Sequence, residues 1–173
     1  IQERRFISCV LNAENGCENV RSITPADVKK KVAVIGGGPA GLEAARVAAL
    51  RGHSVTLFER ETELGGQLNL ACLPPRKSEM RRATQDLIHA LQRAGVRLCL
   101  GCMVTEQQLL DEKFDAVIVA VGAHNAAPAI PGKENINVAD AWSVLAGREQ
   151  VYGKVAVIGG GLVGSETAEL LAE

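Results

Sequence analysis

Charge of one sign in excess is missing from this sequence. Lys and Arg number 19 against 20 Asp and Glu, a formal net charge of -1. No basic surplus points to nucleic acid, and no Lys/Arg block points to an anionic membrane. Long apolar runs are missing too, none approaching the ~20 residues a bilayer crossing needs. The opening IQERRFISCV is charged and has too little apolar length for a secretory signal. Aromatic residues are scarce, at one Trp, one Tyr and three Phe, while glycines number 18. That balance fits an α/β protein with close backbone turns, and these absences together predict a soluble, cytoplasmic chain. Its hydrophobic content of 47% and charged content of 23% are ordinary for a globular core.

Paired cysteines are also lacking. The five cysteines are an odd number without secretory context, which argues against a disulfide framework. Cys99 and Cys102 do form a C-x-x-C, a spacing used by redox and zinc sites. In the strand-like RLCLG, however, alternation sends residues three apart to opposite faces. A redox pair also favours a helix start, so the pair is read as structural. His53, His89 and His124 have no partner that suggests a triad or metal site, and hydrolytic chemistry has no support.

What is present is a repetition. KVAVIGGG occupies 31–38 and returns at 154–161. KVAVI is a short β-branched apolar run bounded by glycine, the pattern of a buried parallel strand. PAGLEAARVAALR (39–51) then reads as a helix that Gly52 closes. SVTLFE (54–59) is a strand, and ETELGGQLNLACLPPR a loop whose Gly and Pro pairs forbid regular structure. Residues 77–94 form a helix with Met80, Ala83, Leu87, Leu91 and Ala94 along one stripe. VRLCLG is a strand, TEQQLLDE a short helix, and DAVIVAV (115–121) an apolar strand. A connector leads to a short helix near Asp140–Leu145, where Trp142 is read as packing. The second strand at 154–158 follows, then a further helix. Alternating strands and helices predict an α/β fold, a Rossmann-like doubly wound parallel sheet.

Each glycine turn fits G-x-G-x-x-G between strand and helix. Gly36 permits the tight turn, Gly38 leaves space for a pyrophosphate, and Gly41 lets helix and strand pack closely. The helix N-terminus at Pro39 and Ala40 presents backbone N–H groups to phosphate. Glu59 ends the next strand, ~20 residues on, where a carboxylate can accept ribose hydroxyls. The plainer alternative for Glu59 is a solvated strand-end charge. Gly159, Gly161 and Gly164 repeat the three roles. Two turns imply two nucleotides, which suits a flavin exchanging hydride with a nicotinamide.

GGGPAGLEAA, FERETELGGQL, DAVIVAVGA and VIGGGLVGSETAE, in that order, resemble the FAD/NAD(P)-binding region of pyridine-nucleotide-dependent flavoproteins. ALRGHSVTLFER and LGGQLNLACLPPRK resemble the C-terminal half of the 2,4-dienoyl-CoA reductase, 2-enoate reductase and trimethylamine dehydrogenase group. The resemblance implies FAD and NAD(P)H as cofactors. In full-length members it implies a 4Fe–4S cluster and an FMN-binding N-terminal barrel for substrate reduction, absent from this sequence. It assigns Gly36, Gly38, Pro39, Ala40 and Gly41 to the FAD pyrophosphate, and Glu59 with neighbouring Arg60 to the adenosine ribose. Gly66 and Gln67 are assigned to the phosphate and ribityl side, and Val104 to the adenine through its backbone. Ala120, Val121 and Gly122 stand where the group often has A-T-G, the threonine missing here. In SCVLNAENGC, Cys9 occupies the position of the last cluster cysteine, with Ala13 in place of the usual proline.

The expected organisation is an arm over 1–29, an FAD-binding domain over 30–135, and a linker helix with the start of an NAD(P)-binding domain over 136–173. The chain thus reads as a fragment, inactive alone, with a possible homo-oligomer as its assembly. The second apolar strand is expected to join the sheet beside DAVIVAV or to pair between chains. An ADP-binding module without redox work and a glutamate synthase small-subunit-like flavoprotein are the alternatives.

Overall fold

The structure, a computed structural model, describes residues 9, 12, 14–126, 129–135 and 137–173. Its elements in chain order are β1 (Lys31–Ile35), α1 (Pro39–Leu50), β2 (Ser54–Glu59), α2 (Leu68–Ala71), α3 (Glu79–Arg93), β3 (Arg97–Leu100), α4 (Glu106–Asp111), β4 (Ala116–Val119), α5 (Ala141–Leu145) and α6 (Leu162–Ala172). Ala13, part of the cysteine-arm resemblance, lies outside the described residues.

The four strands form one parallel sheet in the order β3-β2-β1-β4. β1 is central because its side chains suit burial on both faces: Val32, Ala33 and Val34 are all buried. Pro39 stands in the first turn of α1, and Gly52, at φ +93°, ends the helix in a conformation favouring glycine. α1 buries Leu42, Ala45 and Ala48. With α3 it covers one sheet face, where Val32, Val34, Leu57, Leu91 and Val96 form the core. On α3 the buried positions are Thr84 and Leu91, with Leu87 and Ile88 packed against the core. The packing stripe is therefore rotated from the expected line through Met80 and Ala83. Thr84 can lie inward because its hydroxyl donates to the Met80 carbonyl (3.1 Å), which satisfies the buried oxygen. Beside the sheet, Phe114 meets Phe58 edge-on at 5.9 Å, and the Lys31 ammonium lies 4.3 Å from the Phe114 ring centre.

Two segments depart from the sequence expectation. The stretch after β2 holds a single helical turn, α2. Gly65 and Gly66, at φ +118° and +55°, precede it, and the Pro pair follows, so it stays one turn long. The second KVAVI forms no strand. Val155, Val157 and Ile158 are 45%, 40% and 73% exposed, and the segment joins no edge of the sheet. A strand exists through its ladder: β1 pairs on both sides, whereas 154–158 finds no strand partner among the described residues. The following helix does form. α6 packs on α5, Glu166 pairs with Lys77 near the start of α3, and Thr167 is buried with its hydroxyl bonded to the Val163 carbonyl (2.7 Å). Among the described residues, no helix is long and apolar enough to cross a membrane.

Candidate functional site

The strand order fixes where a ligand crevice lies. From β1 the chain adds β2 and β3 on one side, then crosses to β4 on the other. The loops that leave the carboxyl ends of β1 and β4 stand at this reversal of strand order, the switch point where open parallel sheets bind ligands. These loops are 36–38 and 120–123.

Three segments meet there. Gly36 has φ +108°, and a Cβ built on it would lie 2.3 Å from the Ala120 carbonyl oxygen, so only glycine fits. The Gly65 N–H donates to the Gly37 carbonyl (2.8 Å), and a Cβ on Gly66 would lie 2.9 Å from the Gly38 Cα. The Gln67 side-chain amide donates to the Ala123 carbonyl (2.5 Å), which ties the segment before α2 to the loop after β4. Gly122, at φ +68°, makes the turn that brings this carbonyl round. A Cβ on Gly41 would lie 1.9 Å from the Gly36 carbonyl oxygen, which is the close helix–strand packing expected of that position.

Gly38 is different. Its φ and ψ of -75° and 179° are open to any residue, and a Cβ there would meet nothing within 4 Å. Neither backbone strain nor packing requires glycine, so the open space in front of it is what a side chain would fill. α1 begins at this point with no side-chain cap and no acidic residue in its first turn. By contrast, Thr105 caps α4 and Asp140 caps α5 with their side chains. An uncapped N-terminus facing open space is a place for phosphate oxygens.

Glu59 is buried rather than a solvated strand-end charge, only 8% exposed. Its carboxylate accepts the Gly37 N–H (2.5 Å) and the Glu61 N–H (2.9 Å), leaving lone pairs on both oxygens. Arg60 points outward in an exposed pair with Glu61 (3.1 Å). Val104 is half-buried beyond β3, Pro39 and Ala40 are exposed at the start of α1, and Val121 is 67% exposed.

The second turn repeats the first in miniature. Gly159 has φ +110°, and a Cβ on Gly164 would lie 1.9 Å from the Gly159 carbonyl oxygen. Gly161, at φ -78° and ψ -175°, again has nothing within 4 Å of a Cβ. Gly159 itself faces no neighbour, where Gly36 is crowded by Ala120. One turn is boxed in by two loops and the other stands by itself.

Cys9 is exposed, and among the described residues no three His, Cys, Asp or Glu side chains gather in a metal-binding group. A groove of about 380 Å³ runs between α1 and β4, lined in part by Lys30, Val47, Arg51 and His53. It lies at the amino ends of β1 and β2, away from the crevice. Sequence reasoning missed the Gln67 bridge and the part Gly37 plays under Glu59.

Comparison with known proteins places this geometry. The pyridine nucleotide-disulphide oxidoreductase family matches residues 30–173. Bilirubin reductase of Mediterraneibacter gnavus (strain CC55_001C) is 60% identical over 100% of this chain and 27% of its own length. NADH oxidase of Thermoanaerobacter brockii is 45% identical over 96% of this chain and 26% of its own. A solved 2-naphthoyl-CoA reductase complex superposes with a TM-score of 0.88 at 33% identity, covering 95% of this chain and 25% of that one. This chain therefore spans about a quarter of the length of these relatives.

Proposed function

This chain belongs to the pyridine nucleotide-disulphide oxidoreductase family, and on that premise we propose that it is the electron-entry portion of an NAD(P)H-dependent flavin reductase. The observation that carries the reading is the pair Gly38 and Gly161. Each is a glycine that neither its backbone conformation nor its packing demands, and each stands at the open start of a helix.

In this reading the boxed first turn holds FAD and the second turn begins the NAD(P)H site. A flavin held by the first turn would supply hydride acceptance from a nicotinamide and single-electron transfer onward. The chain supplies position and electrostatics. Gly36 and Gly41 set the turn, while the N–H groups at Gly38, Ala40 and Gly41, with Pro39 fixing the helix start, receive the pyrophosphate. Glu59, already held by Gly37 and Glu61, offers its remaining lone pairs to the ribose, with Arg60 outside it. Val104 presents its backbone to the adenine. Gly66, Gln67, Ala120, Val121 and Gly122 form the wall on the side of the second phosphate.

In the full-length protein Cys9 serves as one thiolate ligand of a 4Fe–4S cluster, which needs four. The other ligands, a barrel-bound FMN and the reduction of an activated C=C bond belong to the rest of that protein, working in the cytoplasm. The test is to purify the full-length protein, release its bound nucleotide and identify it. FAD, with its visible absorbance bleached by NADH or NADPH, is the expected result. ADP alone would replace the redox reading with that of a binding module.

A further inference from the structure

Of the three segments that meet in the crevice, the loop after β4 is the most loosely held. Its first residue is anchored, since the Ala120 N–H donates to the Ile35 carbonyl (2.8 Å). Among the described residues no backbone hydrogen bond follows over 121–124. Gly122 turns there at φ +68°, and Val121 stands 67% exposed, so little apolar packing replaces the missing bonds. The tie that reaches this stretch is a side chain: the Gln67 amide donates to the Ala123 carbonyl (2.5 Å).

Gln67 stands on a fixed base. Its own carbonyl accepts the Leu70 and Ala71 N–H groups (3.1 and 3.0 Å) as α2 begins. The residues before it are pinned to the first turn by the Gly65 N–H on the Gly37 carbonyl (2.8 Å) and by the close approach of Gly66 to Gly38. The Asn69 amide braces the same segment on the Leu64 carbonyl (3.0 Å). The Gln67 side chain is exposed and crosses from this base to the far loop. A Cβ on Gly122 would lie 3.8 Å from its amide nitrogen, so the amide rests against the turn of that loop. One end is rigid, the other is loose, and a single neutral hydrogen bond joins them.

We propose that Gln67 is a latch: its bond to the Ala123 carbonyl holds the loop after β4 against the first glycine turn, and its opening gates entry and release of the dinucleotide. The inference rests on the proposed function for the identity of the ligand and adds a positioning role that acts through the loop. A latch differs from a ligand contact in its kinetics. Removing a gate that stands closed with and without ligand speeds entry and exit alike, and their ratio, the affinity, stays nearly the same. Removing a contact to the bound ligand speeds release alone.

The test uses Q67M, which keeps the length of the side chain and loses the N–H donor, beside Q67A. Full-length protein freed of its dinucleotide is mixed with FAD, and flavin fluorescence follows association and release. Both rate constants should rise about fivefold, the weight of one ordinary hydrogen bond, with Kd held within about twofold. Amide exchange over 121–124 in the nucleotide-free protein should rise by a similar factor. Faster release with entry unchanged would make Gln67 a ligand contact and overturn the latch. Rates equal to the parent's would overturn it too, as would exchange over 121–124 that does not move. The exchange comparison needs no nucleotide, so it decides the latch even where the parent protein fails to take up FAD, a failure that would defeat the electron-entry reading instead.

Discussion

Gly37 donates its backbone N–H to the Glu59 carboxylate at 2.5 Å, joining the first glycine turn to the end of the neighbouring strand. The same carboxylate receives the Glu61 N–H (2.9 Å). Glu59 is thus a structural brace and, under the proposed function, a ribose acceptor as well, and the two roles can be separated. E59Q keeps one acceptor oxygen, so its melting temperature should fall modestly. ADP affinity should drop by about 1.5–3 kcal/mol, the scale of a hydrogen bond to a charged group. E59A leaves two donors unpaired and should unfold at a clearly lower temperature. Titration calorimetry and thermal melts on both variants decide it. Unchanged ADP affinity in E59Q would leave the brace as the residue's only role.

Gly38→Ala separates ligand from fold at the turn. The added Cβ meets no protein atom. A small loss at the helix cap and a small entropic gain offset each other, leaving stability within about 1 kcal/mol. Under the proposed function nucleotide affinity should fall by at least tenfold, because the Cβ would enter the space assigned to the phosphate. Equal affinities for the variant and the parent would remove this turn from the nucleotide site.

Gly41→Ala should do the reverse. Its Cβ would lie 1.9 Å from the Gly36 carbonyl oxygen, with Ala120 behind it at 3.4 Å. Helix and strand must separate, at a cost of about 1–3 kcal/mol, or roughly 2–4 °C of Tm per kcal/mol for a chain of this size. Gly164→Ala makes the same 1.9 Å clash with Gly159, but no sheet stands behind that turn. Its global Tm should barely move. Differential scanning calorimetry of the two variants side by side gives the comparison, and equal losses would mean that the second turn is packed as firmly as the first.

Lys77→Ala should loosen α6. The Lys77–Glu166 ion pair joins the start of α3 to α6, with the Glu166 side chain 18% exposed and Lys77 37% exposed. A partly exposed pair is worth about 1 kcal/mol or less, so the global melt should change little. Amide exchange over 162–172 should rise several-fold, and more at low salt than at high. Exchange in that helix equal to the parent's would show that its packing on α5 holds it without the ion pair.

Much of the crevice could be read from residue order alone. β-branched runs bounded by glycine specify β1 and β2. The spacing of Gly36, Gly38 and Gly41 specifies a turn whose reasons are local, and the acid at Glu59 follows at the expected distance. The second turn shows how local that information is. Gly159 and Gly164 take up the geometry of Gly36 and Gly41 with no sheet beside them, because a backbone conformation at φ +110° and a Cβ-free contact depend only on the nearest residues.

What the sequence could not decide is what depends on partners far along the chain. The same KVAVI is a central strand at 31–35 and an unpaired, exposed segment at 154–158, because strand hydrogen bonds come from neighbours and the letters carry no neighbours with them. Glu59 could have been a solvated charge until its burial against Gly37 made it a brace. Sequence determined the turns and the periods here. Tertiary structure decided which strands found a ladder and which side chains met across it.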